Sequence, residues 1–248
     1  MADTDRQVIV VADPVEMARA AAERIMARID GNEGRIALCL SGGSSPKQLY
    51  RLLASDVYRR RIPWHRVHWF IGDERFVPEE SPLNNMGEAR RIFLDQWAPA
   101  SNVHAVPTFA PDPDDSAERY ARALKSFHGA DAFGPDRPLF DLVLMGAGPD
   151  GHTASLFPGD PALDESERWV VGVPRAHVEP FVPRVTLTLP TLGSCREMLF
   201  EVAGSEKRAI LTRLFNGENL PANRARSIGG QTVWLIDHAA RPESFRGQ

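Results

Sequence analysis

The stretch Leu142-Val-Leu-Met-Gly-Ala-Gly-Pro-Asp-Gly-His-Thr-Ala-Ser-Leu-Phe-Pro158 constrains the fold more than any other. Its apolar opening, preceded by Pro138-Leu-Phe-Asp141, reads as a strand buried on both faces, the kind found in parallel sheets covered by helices. The run then breaks at Gly146, Gly148, Pro149 and Gly151, residues that let a backbone turn sharply and approach a ligand. One carboxylate, Asp150, and one imidazole, His152, sit inside that turn. Open α/β sheets place their sites at such turns, at the carboxyl ends of strands. The three glycines also satisfy G-x-G-x-x-G. A dinucleotide site is rejected because Pro158 would interrupt the helix that the motif needs behind its third glycine.

Similar units recur along the chain. Gln7–Val11 is read as a strand, and Asp13-Pro14-x-Glu16 then supplies a helix N-cap, a proline at N1 and a capping-box acid. Val15, Ala18, Ala22, Ile25 and Ile29 share one face of that helix. A second strand, Arg35–Leu40, runs into Ser41-Gly-Gly-Ser-Ser-Pro46, where Ser45-Pro46 signals a helix start. A third strand, Val67–Ile71, leads to a loop Gly72–Arg75, and Ser81-Pro82 opens a helix expected to run to about Trp97. Val103–Val106 is read as a short strand and Pro107–Asp114 as loop, before a helix carrying Ala117, Tyr120, Ala121, Leu124 and Phe127. Later strands are expected at Trp169–Val173, Val185–Leu189, Glu197–Ala203 and Thr232–Ile236, with Ser205 capping a helix that bears Ile210, Leu211, Leu214 and Phe215. With no repeat and no dividing linker, this alternation predicts one α/β domain over residues 1–248. Its core is a single doubly wound, mostly parallel sheet with helices on both faces, Rossmann-like in plan.

Composition excludes several function classes. The apolar fraction of 43% and charged fraction of 25% are those of an ordinary globular protein, so a sizeable core is available. A net charge of −4 with interspersed signs offers no electrostatic footprint for nucleic acid or for an anionic membrane. No apolar run has membrane-spanning length, and Met-Ala-Asp-Thr-Asp-Arg lacks a signal-peptide core, so a cytoplasmic location is expected. Cys39 and Cys195 lie far apart in apolar surroundings and are expected as free, buried thiols. His65 and His68 lack the acidic or cysteine neighbours that would complete a metal site, so no metal is expected. There is no G-x-S-x-G elbow for a serine nucleophile.

Three loops share one address. Ser41–Ser45, Gly72–Arg75 and Gly146–His152 each follow an apolar strand, and parallel strands would open all three on the same sheet edge. The first offers backbone N–H groups, hydroxyls and a helix N-terminus, which make an anion site without being a Walker loop. The second brings Asp73, Glu74 and Arg75, and the third Asp150 and His152. An anion pocket beside one imidazole and one guanidinium suits general-base chemistry at the carbonyl of a phosphorylated small molecule.

At this point the chain resembles the 6-phosphogluconolactonase family. The resemblance is carried by Leu40–Pro46, by Trp69–Pro78 with Asn85, and by Gly146-x-Gly-x-Asp-Gly-His-Thr-Ala-Ser-Leu-Phe-Pro158. Arg184–Thr188, Gly204-Ser-Glu-Lys207 and Val233–Asp237 continue it in order. Asn84 departs from the serine more usual before the asparagine. The resemblance implies hydrolysis of 6-phospho-D-glucono-1,5-lactone in the oxidative pentose phosphate pathway, with no cofactor and a small sugar-phosphate lactone as the partner. It further implies a monomer or weak homo-oligomer. His152 would be the general base, Asp150 its orienter, and Arg75 a stabiliser of developing negative charge, with Asp73 counted among the catalytic group. Ser41, Gly42, Gly43, Ser44, Arg184 and Lys207 would hold the phosphate. The same superfamily contains glucosamine-6-phosphate deaminases, which carry a glutamate five residues after the loop histidine. Here that residue is Phe157, which cannot transfer a proton. A sugar-phosphate-binding regulator without chemistry is a further alternative, disfavoured by the intact His152, Asp150 and Arg75.

Overall fold

The computed structural model describes residues 6–134 and 136–245. Nine strands form two sheets among these residues. Six of them, β1 (Arg6–Val11), β2 (Ile36–Leu40), β3 (Val67–Ile71), β5 (Leu142–Met145), β8 (Glu197–Val202) and β9 (Gln231–Asp237), make a parallel sheet ordered β1-β9-β8-β5-β2-β3. The expected α/β plan is present. Strands β2 and β5 are buried at every position, as runs without alternation require when both faces are covered.

Five helices matter to the site: α1 (Pro14–Asp30), α2 (Ser44–Leu53), α3 (Asn85–Ala89), α4 (Pro113–His128) and α5 (Arg208–Phe215). Strand β8 shows how the sheet is covered on both sides. Glu197 receives Arg24 and Arg28 from α1. Phe200, of opposite parity, stacks on Trp234 at 3.9 Å, and Phe215 of α5 meets that indole edge-on at 5.6 Å. Burying such rings contributes about 1.5–3 kcal/mol each relative to exposure.

The remaining strands leave that sheet. β4 (Asp73–Arg75), β7 (Arg184–Leu187) and β6 (Val170–Val173) form an antiparallel sheet ordered β4-β7-β6. Gly72–Arg75 was expected as a loop, and the other two as members of the main sheet. Hydropathy alone does not report which partner a strand takes, and β4 has only three residues, two of them charged and buried. Tyr120 of α4 fixes the point of departure: its hydroxyl accepts from the Ile71 N–H at 3.0 Å and donates to the Ile71 carbonyl at 3.1 Å.

Several helix starts also move. Gly43, at φ 113°, caps α2 in place of Ser45, so Pro46 falls inside the first turn, where its missing N–H costs nothing. The helix expected from Ser81-Pro82 begins instead at Asn85, because Asn84 accepts from the Gly87 N–H at 2.7 Å and Glu74 accepts from the Asn85 and Met86 N–H groups. It continues through a π-turn at Arg90–Leu94 to Asp95–Trp97. Helix α4 starts at Pro113 with Asp112 as its cap, and Val103 forms only an isolated bridge to Trp69. Ser205 opens a 3-10 turn, Ser205–Lys207, ahead of α5. Cys39 and Cys195 are free and buried, and burial pushes the Cys195 thiol up to about 12. No helix among the described residues is long and apolar enough to cross a membrane.

Candidate active site

The carboxyl ends of β2, β5 and β8 and the start of β4 surround a cleft of about 430 Å³. Ser41, Gly42, Gly43, Ser44, Asp73, Arg75, His152, Arg184 and Lys207 all line it. Asp150 stands behind His152 rather than in the lining. The three loops therefore do converge, and each is held by named bonds.

The first loop is pinned from below. Tyr50 of α2, buried and kept as a neutral phenol by that burial, accepts from the Ser41 N–H at 3.1 Å and donates to the Ser41 carbonyl at 2.7 Å. The Asn85 amide, at the start of α3, donates to the Asp73 carbonyl of β4 at 3.0 Å, while its oxygen sits so close that a Cβ on Gly42 would lie 2.2 Å away. Only glycine leaves room for that contact.

Arg75 and Arg184 are cross-strand partners in the β4–β7 register. The Arg75 Nη1 donates to the Leu83 carbonyl at 2.8 Å, whereas its buried Nε has no partner among the described residues. Arg184 is buried and donates to the Pro180 carbonyl at 2.8 Å. Burial holds its guanidinium below the usual range, with Asp73 acting in the opposite sense and Arg75 adding to the depression. Asp73 accepts from the Ser155 hydroxyl at 2.7 Å. Glu74 uses both oxygens to accept N–H groups of Arg75, Asn85 and Met86 at 2.7–2.9 Å, and burial still pushes it up to about 7. Sequence reasoning saw Glu74 only as one more loop charge; it is the residue that joins β4 to α3.

In the third loop the Asp150 Oδ1 lies 2.5 Å from the His152 Nδ1 and 3.0 Å from its backbone N–H. Burial acts to raise the Asp150 carboxyl, but the bonds from His152 prevail and hold it below its ordinary value. An ionised carboxylate only accepts, so Nδ1 carries a proton, and in the neutral imidazole Nε2 is then the nitrogen with the free lone pair. The Nε2 has no hydrogen-bond partner among the described residues. Gly148 makes this geometry possible: a Cβ there would lie 2.0 Å from the imidazole Cε1. Phe157, the residue expected to be apolar, packs tilted on the imidazole at 4.9 Å.

Lys207 donates from Nζ to the Ala147 carbonyl at 2.8 Å, which ties the β8 end to the third loop. Burial lowers its ammonium from the usual value. The cleft thus sets an imidazole base beside three cations and a ring of backbone donors. Among the described residues no three His, Cys, Asp or Glu side chains are grouped to hold a metal ion. Among the lining residues not marked out in the sequence are Glu179 and the buried acid Glu201, although a single charge inside Met-Leu-Phe-Glu-Val is a visible anomaly.

A family profile described as glucosamine-6-phosphate isomerases/6-phosphogluconolactonase matches residues 12–234. The 6-phosphogluconolactonase of Synechocystis sp. is 41% identical over 212 residues, covering 84% of each chain. That of Rattus norvegicus is 37% identical over 232 residues, covering 90% of this chain and 86% of its own. Among solved structures, 6-phosphogluconolactonase from Thermotoga maritima superposes with a TM-score of 0.80 at 30% identity, over 94% of this chain and 99% of that one. A monomeric glucosamine-6-phosphate deaminase superposes with a TM-score of 0.79 over 94% of this chain and 98% of that one, at 20% identity, which shows a shared fold alone.

Proposed function

The chain belongs to the glucosamine-6-phosphate isomerase/6-phosphogluconolactonase family, and from that premise we propose that it hydrolyses 6-phospho-D-glucono-1,5-lactone to 6-phospho-D-gluconate. The observation that carries this reading is the oriented imidazole of His152 in one cleft with Arg75, Arg184, Lys207 and the Ser41–Ser44 turn.

The chemistry follows from what each group does. The His152 Nε2 takes a proton from water as its oxygen bonds to the lactone carbonyl carbon. Negative charge then gathers on the carbonyl oxygen, where the Arg75 guanidinium stabilises it. As the tetrahedral species collapses, the bond from carbon to ring oxygen breaks and the imidazolium returns its proton to that oxygen. The products are a hydroxyl, a regenerated base and a carboxylic acid, which loses its proton to solvent to become the carboxylate. Asp150 keeps the imidazole in the right tautomer and offsets its charge. Ser41, Gly42, Gly43, Ser44, Arg184 and Lys207 form the phosphate subsite through backbone donors and charge-assisted bonds. Asp73 lines the same cleft and offsets the charge of Arg184.

The deaminase alternative finds no support at Phe157, since an apolar ring occupies the place of that enzyme's acid–base group. We take the protein to act as a single domain in the cytoplasm, as a monomer or weak homo-oligomer. The direct test is hydrolysis of freshly prepared lactone followed beside an enzyme-free control. A rate no higher than the control would overturn the proposal.

A further inference from the structure

Strand β8 carries two acids of the same parity with opposite treatment. Glu197 is clamped by Arg24 and Arg28. Glu201, four residues on, lines the floor of the cleft, is only 4% exposed, and has no hydrogen-bond partner on either oxygen among the described residues. A buried polar group left unpaired is costly, so an isolated one calls for an explanation. Burial alone pushes this carboxyl up to about 8, which leaves it uncharged at neutral pH.

Its surroundings explain where the charge would be felt. The titratable group facing it from α2 is Tyr50, the phenol that pins Ser41 and whose own value Glu201 helps to raise. Its register partner on β9 is Leu235, and Phe200 beside it pairs with Met145 of β5, so neither flanking strand offers a charge there. Around the cleft stand Lys207, Arg75, Arg184, Asp73, Glu179 and His152.

We propose that Glu201 is the proton-bearing floor of the phosphate subsite: uncharged, it admits a phosphate dianion above it, and ionised, it repels that dianion. This rests on the assignment of the Ser41 turn and Lys207 to phosphate. The step is one acid–base equilibrium, in which the Glu201 proton passes to solvent as the pH rises. By linkage, a bound dianion must make that proton harder to remove by the same factor.

The test is calorimetric binding of 6-phosphogluconate from pH 6.5 to 9.5 to the wild type, Glu201→Gln and Lys207→Ala, each checked by circular dichroism. The phosphate's own ionisation and that of Lys207 affect the wild type and Glu201→Gln alike, so their difference isolates Glu201. Between pH 7 and pH 9 the wild-type Kd should rise by up to about tenfold more than that of Glu201→Gln. The infrared stretch of a protonated carboxyl should be present in the wild type at pH 7, be missing from Glu201→Gln, and persist to higher pH with ligand. Glu201→Leu, which matches the apolar strand, takes the place of Glu201→Gln if the amide does not fold. Parallel binding profiles, or a wild type without the protonated band at pH 7, would overturn the inference while leaving the function in place if Lys207→Ala still loses affinity. A folded wild type that binds no 6-phosphogluconate would overturn both.

Discussion

One oxygen of Asp150 receives both the ring Nδ1–H and the backbone N–H of His152, at 2.5 and 3.0 Å. His152 is therefore held at two points, one on its ring and one on its backbone, by a residue only two positions away, before any substrate arrives. His152→Ala should keep its circular dichroism and lose about 10²–10⁴-fold in kcat. Asp150→Asn should lose about 10²-fold in kcat with little change in KM, because the amide can no longer enforce the tautomer. A folded His152→Ala with near-normal turnover would remove the imidazole from the mechanism.

Gly148→Ala tests the same geometry without touching a functional group. The new methyl would overlap the imidazole Cε1, and the ring must swing away from Asp150 or from the cleft. A drop in kcat of about 10²-fold, with the unfolding midpoint shifted far less, is the expected result. Retained turnover would show that the ring has room to spare.

Lys207→Ala should act on binding. It removes a charge-assisted bond of about 1.5–3 kcal/mol to phosphate, so KM for the phosphorylated lactone rises while hydrolysis of unphosphorylated gluconolactone changes little. The Lys207 bond to the Ala147 carbonyl adds a structural consequence. Equal effects on the two substrates would mean that this structural bond is the whole of its role.

Far from the cleft, His68 Nδ1 and His104 Nε2 lie 3.0 Å apart, and His104 stacks on Phe70 at 4.3 Å. Burial, with His68 and Arg35 adding to it, depresses His104 to about 4, and burial lowers His68 as well. An imidazole depressed in the folded state binds fewer protons there than when unfolded. The stability it supports is complete above its unfolded value near 6.5 and is lost as the pH falls toward 4. Urea midpoints should therefore fall between pH 7 and pH 4.5, with a shallower slope in His104→Phe, which keeps the ring stack. An unchanged slope in that variant would assign the loss to other groups.

Much of this site was legible in the sequence because glycine, proline and charge marked it. Buried strands such as Leu142–Met145 and the loops after them have no other economical reading, and their parallel pairing brought His152, Ser41 and Lys207 to one edge. What was missed depends on partners rather than on local pattern. Asp73–Arg75 became a strand because β7 lies beside it, and α3 begins at Asn85 because Glu74, eleven residues earlier, caps it. No local periodicity carries that information.

The pairing of Arg75 with Arg184 across β4 and β7 has a consequence for the protein as a material. Two guanidiniums at facing register positions repel, and Asp73 and Glu74 act against that repulsion from the same small sheet. On the proposed function, the substrate's phosphate at Arg184 adds a further counterion to this sheet as well as serving as a handle. Heat-denaturation midpoints should climb with the logarithm of added inorganic phosphate, and removing one arginine of the pair, in Arg184→Met, should flatten that climb.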